Sequence, residues 1–330
     1  MKMSSLFLIL GAMFTTLLAG CHTEDEMTEV RLAEVTRSIF YAPQYVALSE
    51  GFFEEEGLDI ELTTTWGGDT TMTTLLSDGA DIALVGAETS IYVYAQEAND
   101  PAINFAQLTK TDGTFLVSRN PIDNFQWEDL KGKTFLGQRK GGMPQMVGEY
   151  VLKENGIDPH HDVEMVQNID FGNIPSAFAS GTGDFVQLFE PQATLFEQEG
   201  IGHIVDSFGT QSGDVPYTVY MAKQSYLDDH QHVIESFTRA LYRAQQWVKQ
   251  TDPATIAESI DPYFDDTPLE VIEQVIERYQ DQGSYATSPV LEEEGWYHLQ
   301  AMMAEAGELP EEITYNTLVN RDIAEQIMKE

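Results

Sequence analysis

Cysteine is almost absent from this chain: Cys21 is the only one in 330 residues. Without a second thiol there is no intramolecular disulfide, and Cys-based zinc or dithiol redox sites are excluded. Basic residues are scarce as well, with 17 Lys and Arg against 55 Asp and Glu and a formal charge of −38. Such a balance excludes a nucleic-acid binder, which needs cationic surface to neutralise phosphate. It also disfavours adhesion to anionic lipid headgroups. Long apolar runs are missing too. The segments 6–10 and 13–18 are interrupted by Gly11, Thr15 and Thr16 and are too short to span a bilayer. Catalytic signatures are absent: there is no Gly-x-Ser-x-Gly elbow and no phosphate-binding loop. His160-His161 and His230-Gln231-His232 read as loop histidines and lack the i,i+4 spacing of a zinc helix, so no metal site is expected.

What is present begins at Cys21. It closes the run Leu18-Ala19-Gly20-Cys21, after a positive Lys2 and an apolar core, in the position where a bacterial lipoprotein is lipidated and cleaved. Residues 1–20 are expected to be a signal peptide, and acyl chains on Cys21 to anchor the mature chain outside the cytoplasmic membrane. Residues 21–28 read as an acidic tether. The remaining surplus of acid suits a protein kept soluble in a saline or alkaline setting.

About 310 mature residues suffice for two packed units. Strand-like runs at 30–35, 59–62, 81–85 and 103–108 alternate with helical segments at 43–50, 70–76 and 89–97, which argues for a parallel α/β sheet. A second cycle runs through 133–137, 143–154, 163–167, 174–179, 184–189, 192–199 and 204–208. The two cycles echo each other. The segment 76–84 resembles 179–188, each a helix end, a glycine stop, an acid and a strand, and Glu56-Gly57-Leu58-Asp59 has a counterpart in Asn155-Gly156-Ile157-Asp158. After a last strand at 217–222 the chain reads as helical. The stripes Val233/Phe237/Leu241/Ala244/Val248, Leu269/Ile272/Ile276/Tyr279 and Leu299/Met302/Met303/Ala306 are expected to be core. Segments 115–118 and 215–218 are the expected crossings between lobes, placing 29–117 with 217–330 in the first lobe and 118–216 in the second. A lobe inserted between two crossings makes a hinge with a cleft.

The segment 40–62, with Gly51-Phe52-Phe53 followed by Glu56-Gly57-Leu58-Asp59, resembles the opening of the SsuA/THI5-like (NMT1-type) substrate-binding proteins of ABC importers. Asp78-Gly79-Ala80-Asp81-Ile82-Ala83 and Trp127-Glu128-Asp129-Leu130-Lys131-Gly132-Lys133 are similar to two further motifs of that family, in the same order. The resemblance implies a periplasmic-binding-protein fold of type II. It would have two α/β lobes joined by a two-segment hinge, with the helical C-terminal region packed on the first lobe. It also implies a monomeric receptor that hands a small solute to a permease with its ATPase, without a cofactor. The main rival is the pyrimidine-synthesis enzyme of related fold, whose cysteine-rich motif has no counterpart here.

In that layout the cleft loops follow the strands. They supply Phe40 and Tyr41, Trp66 and Asp69, Glu88, Gly141 and Gly142, Glu190, and the hinge residue Tyr217. Flat rings offer stacking area and carboxylates accept hydrogen bonds from ring amines. Asp69 equally suits a helix cap, and a core role is the lesser alternative for Phe40 and Trp66. Gly141-Gly142 ahead of a helix could hold an anion on backbone N–H groups. Sulfonate-binding relatives, however, usually carry hydroxyl residues there, where this chain has Met143 and Pro144. Arg139-Lys140 reads as a surface basic pair. An aminopyrimidine of the thiamine-precursor type is the expected ligand; a sulfonate, taurine or nitrate is the alternative.

Overall fold

The computed structural model describes residues 27–330. The expected signal 1–20, the lipidation site Cys21 and most of the tether lie outside the described residues. The strands are β1 (Thr28–Glu34), β2 (Leu58–Thr64), β3 (Ile82–Gly86), β4 (Ala102–Thr109), β5 (Thr114–Ser118), β6 (Thr134–Leu136), β7 (Glu164–Val166), β8 (Phe185–Phe189), β9 (His203–Ser207) and β10 (Thr218–Lys223). They form two five-stranded sheets of one plan, β2-β1-β3-β10-β4 and β7-β6-β8-β5-β9. In each, the first three strands are parallel and the fourth runs antiparallel to its neighbours. That odd strand is the one arriving from the other lobe: β5 enters the second sheet from β4, and β10 re-enters the first after β9.

The echoes between the two cycles fall on equivalent strands, β3 with β8 and β2 with β7. The acid ahead of the strand does the same work in both. Asp81 accepts the backbone N–H of Arg31 in β1 at 2.9 Å, and Asp184 accepts that of Thr134 in β6 at 3.0 Å. Each ties the start of one strand to its neighbour.

Two expectations need correction. Residues 115–118 are not a connector. Phe115, Leu116 and Val117 are buried and paired on both sides by β8 and β9, because an apolar β-rich run gains more inside a sheet than across a gap. The outward crossing is 110–113. Leu269 is 42% exposed, at the first residue of its helix, whereas Ile272, Ile276 and Tyr279 on the same helix are core.

The helix Gln231–Gln250 buries its stripe against the helix Ala42–Ser49 of the first lobe. The helices Leu269–Asp281 and Glu293–Ala306 reach further and also touch the second lobe, against Gln192–Gln198 and Met143–Glu154 respectively. No helix among the described residues is long and apolar enough to cross a membrane.

Candidate ligand-binding cleft

The open ends of both sheets meet at the crossings. Thr218, the first residue of β10, lies opposite Gly86 at the end of β3 and Thr109 at the end of β4. Across the hinge, Thr114 at the start of β5 lies opposite Phe189 at the end of β8. Side chains from these ends therefore converge whatever their distance in sequence.

Phe40 is fully buried at this junction, with its ring 5.7 Å from Tyr217, 5.8 Å from Tyr41, 5.0 Å from Tyr279 and 6.3 Å from Phe189 of the second lobe. Gly113 in the outward crossing permits this, because a Cβ there would come within 2.8 Å of the Phe40 ring. Beside the rings stand two buried carboxyl groups. Glu88 opens the helix Glu88–Ala95, and its Oε1 accepts the backbone N–H of Met143 from the second lobe at 3.3 Å. Its Oε2 has no partner. Burial pushes the Glu88 carboxyl up to about 8, against the opposing pull of its own N–H and that of Met143. Asp112 lies in the crossing. Its Oδ1 accepts the Thr114 N–H at 2.6 Å and the Thr114 hydroxyl, while Oδ2 is unpartnered. Burial lifts Asp112 to about 6, moderated by the Thr114 bonds. The buried Tyr217 hydroxyl faces Asp112 without reaching hydrogen-bond geometry, and burial raises it well above the usual phenol range.

Five buried side-chain polar atoms among the described residues lack a partner: Glu88 Oε2, Asp112 Oδ2, Tyr217 Oη, Asn104 Oδ1 and Gln245 Oε1. Three of the five belong to this cluster. A buried polar group without a partner costs roughly 1–3 kcal/mol, so their convergence makes this cluster a candidate place for polar atoms from outside the chain, while a small shift would let the Tyr217 hydroxyl donate to Asp112. Glu34, at the end of β1, makes the contrast. It is just as buried, yet accepts from Gln44 at 2.8 Å, Tyr45 at 2.6 Å and Thr64 at 2.6 Å, and is a structural carboxylate.

The other expected residues are placed differently. Trp66 is 67% exposed on the rim, with a left-handed φ of 58°. Asp69 does not cap its helix, whose N-cap is Gly67 with no side-chain bond. It is exposed and meets Arg139 of the second lobe at 2.7 Å, a bridge across the mouth of the cleft that makes Arg139 more than a free surface cation. Glu190 is buried but committed. It accepts from the Thr194 N–H and hydroxyl, each at 2.9 Å, and from Arg278 of the helix Leu269–Asp281. Burial raises its pKa and the Arg278 charge opposes the rise. Gly141 donates its N–H to Gln145, and Gly142 is the N-cap of the helix Met143–Glu154, whose first N–H goes to Glu88.

Asp112, Arg278 and Gln187 were not singled out from the sequence. Gln187 is buried in β8 and donates to Thr114 Oγ1 and to the Pro144 carbonyl, each at 2.8 Å. The Asp112-Gly113 turn between two apolar strands was the available signal, masked by placing the crossing too late. A cavity lies on the hinge rather than at the cluster. It measures about 700 Å³, and both crossings line it through Lys110, Asp214, Val215 and Pro216. No group of three His, Cys, Asp or Glu residues suited to a metal occurs among the described residues.

Comparison with known proteins places this geometry in a lineage. Over 325 residues the chain is 61% identical to YtlA of Bacillus subtilis (strain 168), which carries the name of a binding protein, covering 98% of this chain and 97% of that one. It is 25% identical over 253 residues, 73% of each chain, to the formylaminopyrimidine-binding protein of Halalkalibacterium halodurans. In fold it is similar to a zinc-bound ligand-binding component of an ABC-type import system from Staphylococcus aureus. The TM-score is 0.75 at 13% identity, with 92% of this chain and 100% of that one covered. These relatives are binding proteins rather than enzymes, and a solute-binding role follows for this chain. The model of the NMT1-like family matches residues 24–261, and the chain belongs to that family.

Proposed function

We propose that this protein is the extracytoplasmic solute receptor of an ABC importer, tethered through Cys21, and that it captures an amino-substituted heterocycle of the thiamine-precursor pyrimidine type. The observation that carries the reading is the set of three unpartnered polar atoms, Glu88 Oε2, Asp112 Oδ2 and Tyr217 Oη, beside the rings of Phe40 and Tyr41. An aminopyrimidine pairs a ring-nitrogen acceptor with an exocyclic amine donor. Near neutral pH, Glu88, raised to about 8, holds a proton to donate to the ring nitrogen. Asp112, raised only to about 6, is mostly ionised and accepts from the amine. The rings supply the stacking surface. The distant formylaminopyrimidine-binding relative is consistent with this class.

A sulfonate or nitrate would have to lie against the ionised Asp112, which weighs against the anionic alternative. The proposed partners are a permease and its ATPase, with the receptor acting as a monomer. Calorimetric titration and thermal shift with formylaminopyrimidine, taurine, alkanesulfonates, nitrate and riboflavin test the reading. At a hundredfold excess over Kd, a true ligand stabilises by about 2.7 kcal/mol. Formylaminopyrimidine is expected to bind with Asp112→Asn losing that binding; silence with every solute refutes both ligand classes, and turnover of any refutes the receptor role.

A further inference from the structure

Another buried carboxylate stands in the second lobe, apart from Glu88 and Asp112. Glu149, in the helix Met143–Glu154, is 2% exposed. Its Oε1 accepts from Gln145 Nε2 and from Gln167 Nε2, each at 2.8 Å, and its Oε2 lies 3.3 Å from Nε2 of His160. Gln145 is buried as well and turns its Oε1 to the backbone N–H of Gly141 at 3.0 Å. An amide side chain has one donor end and one acceptor end. Because Nε2 of Gln145 is engaged by Glu149, its Oε1 must face Gly141. Without Glu149 the amide can turn and set donor against donor.

At Gly141 itself the backbone has a left-handed φ of 88° and open space where a Cβ would stand, so the bond to Gln145 is its side-chain tie. The Gly141 loop carries Arg139, which reaches Asp69, and leads into Met143, whose N–H meets Glu88. Gln167 opens the segment bearing Phe171, whose ring is 5.7 Å from Phe189, itself 6.3 Å from Phe40. Between the two loops lies a cavity of about 490 Å³ lined by Lys140, Met165, Val166, Gln167 and Asn168.

We propose that Glu149 is the positioning residue of the cleft, fixing two amide side chains and through them two loops of the second lobe, one of which meets the first lobe through Arg139 and Met143. The proposal rests on the receptor reading only where it uses a ligand as probe; hydrogen exchange at the Gly141 amide tests it without one. Glu149→Gln keeps an acceptor for both amides, and His160 can adopt the tautomer that accepts from the new NH₂. Glu149→Leu keeps bulk but removes the acceptor.

In Glu149→Leu, exchange at Gly141 is expected to quicken about tenfold or more, and formylaminopyrimidine to dissociate about tenfold faster with association changed less than about twofold. Glu149→Gln is expected to match the wild type in both. Unchanged Gly141 exchange in Glu149→Leu overturns the proposal, and so does a Glu149→Gln variant that behaves like Glu149→Leu, since charge rather than acceptor geometry would then be responsible. Should Glu149→Leu not fold, Gln145→Leu cuts the next link; fast Gly141 exchange there supports the proposal and normal exchange overturns it. If the wild type binds no formylaminopyrimidine, the ligand reading fails and the exchange result still decides the role of Glu149.

Discussion

Replacing Glu88 by Gln should stabilise the unliganded protein progressively as pH rises. Burial lifts the Glu88 carboxyl from an ordinary 4.5 to about 8. For an acid whose folded-state pKa lies above the unfolded one, the contribution to stability is whole below 4.5 and is lost as pH rises through 8. That rise corresponds to roughly 5 kcal/mol at full ionisation, on the order of 3 kcal/mol of it already lost at neutral pH and under about 1 kcal/mol near pH 5. Gln mimics the neutral acid and does not titrate. Its second N–H donor adds an offset independent of pH, so the slope rather than the absolute difference carries the test. Urea denaturation followed by tryptophan fluorescence near pH 5, 7 and 9 measures it, and subtracting the variant from the wild type cancels the other titrations. More acidic solutions are unsuitable, since neutralising so many carboxylates removes the charge that keeps the chain soluble. A difference that stays flat from pH 5 to 9, or that shifts toward the wild type, would refute a buried and protonated Glu88.

Other perturbations separate structural from ligand-facing groups. Gly86→Ala places a Cβ 2.1 Å from the Glu88 carboxyl, so formylaminopyrimidine affinity measured by calorimetry should fall by about tenfold or more while the urea midpoint moves little; normal affinity would show that Glu88 does not face the ligand. Arg278→Met leaves Glu190 buried without its countercharge and should cost about 3 kcal/mol in urea denaturation, less for Arg278→Met combined with Glu190→Gln; equal losses would show that the pair is not coupled. Asp69→Asn breaks an exposed bridge and should change stability by less than about 1 kcal/mol, with ligand dissociation somewhat faster at low salt and the effect vanishing at high salt. Cys21→Ser should move the protein from the membrane fraction to the medium, read by fractionation and immunoblot; retention in the membrane would refute lipid anchoring.

Local order was legible in the sequence wherever one periodicity met one clear stop. The strands at 59–62, 81–85 and 184–189 and the helices at 143–154 and 174–179 appear within a residue or two of their expected bounds. The internal echo located equivalent strands, because Asp81 and Asp184 recur for one backbone bond each. Phe115-Leu116-Val117 went astray because an apolar extended run looks the same as a connector and as a central strand. Its partners, β8 and β9, lie about 70–90 residues further on.

The site divides along the same line. Residue type and spacing were enough to assemble carboxylates and rings near strand ends and to predict two lobes of one plan, since these follow from covalent neighbours and local hydrogen bonding. Which carboxylates are free depended on contacts no local pattern encodes. Glu190 is claimed by Arg278, 88 residues away, and Asp69 by Arg139, 70 away. Asp112, from a crossing, retains an unpartnered oxygen beside Tyr217. Burial and partnership are properties of the closed three-dimensional arrangement. A carboxylate becomes structural or available for binding only once the packing of the two lobes has settled which donors can reach it.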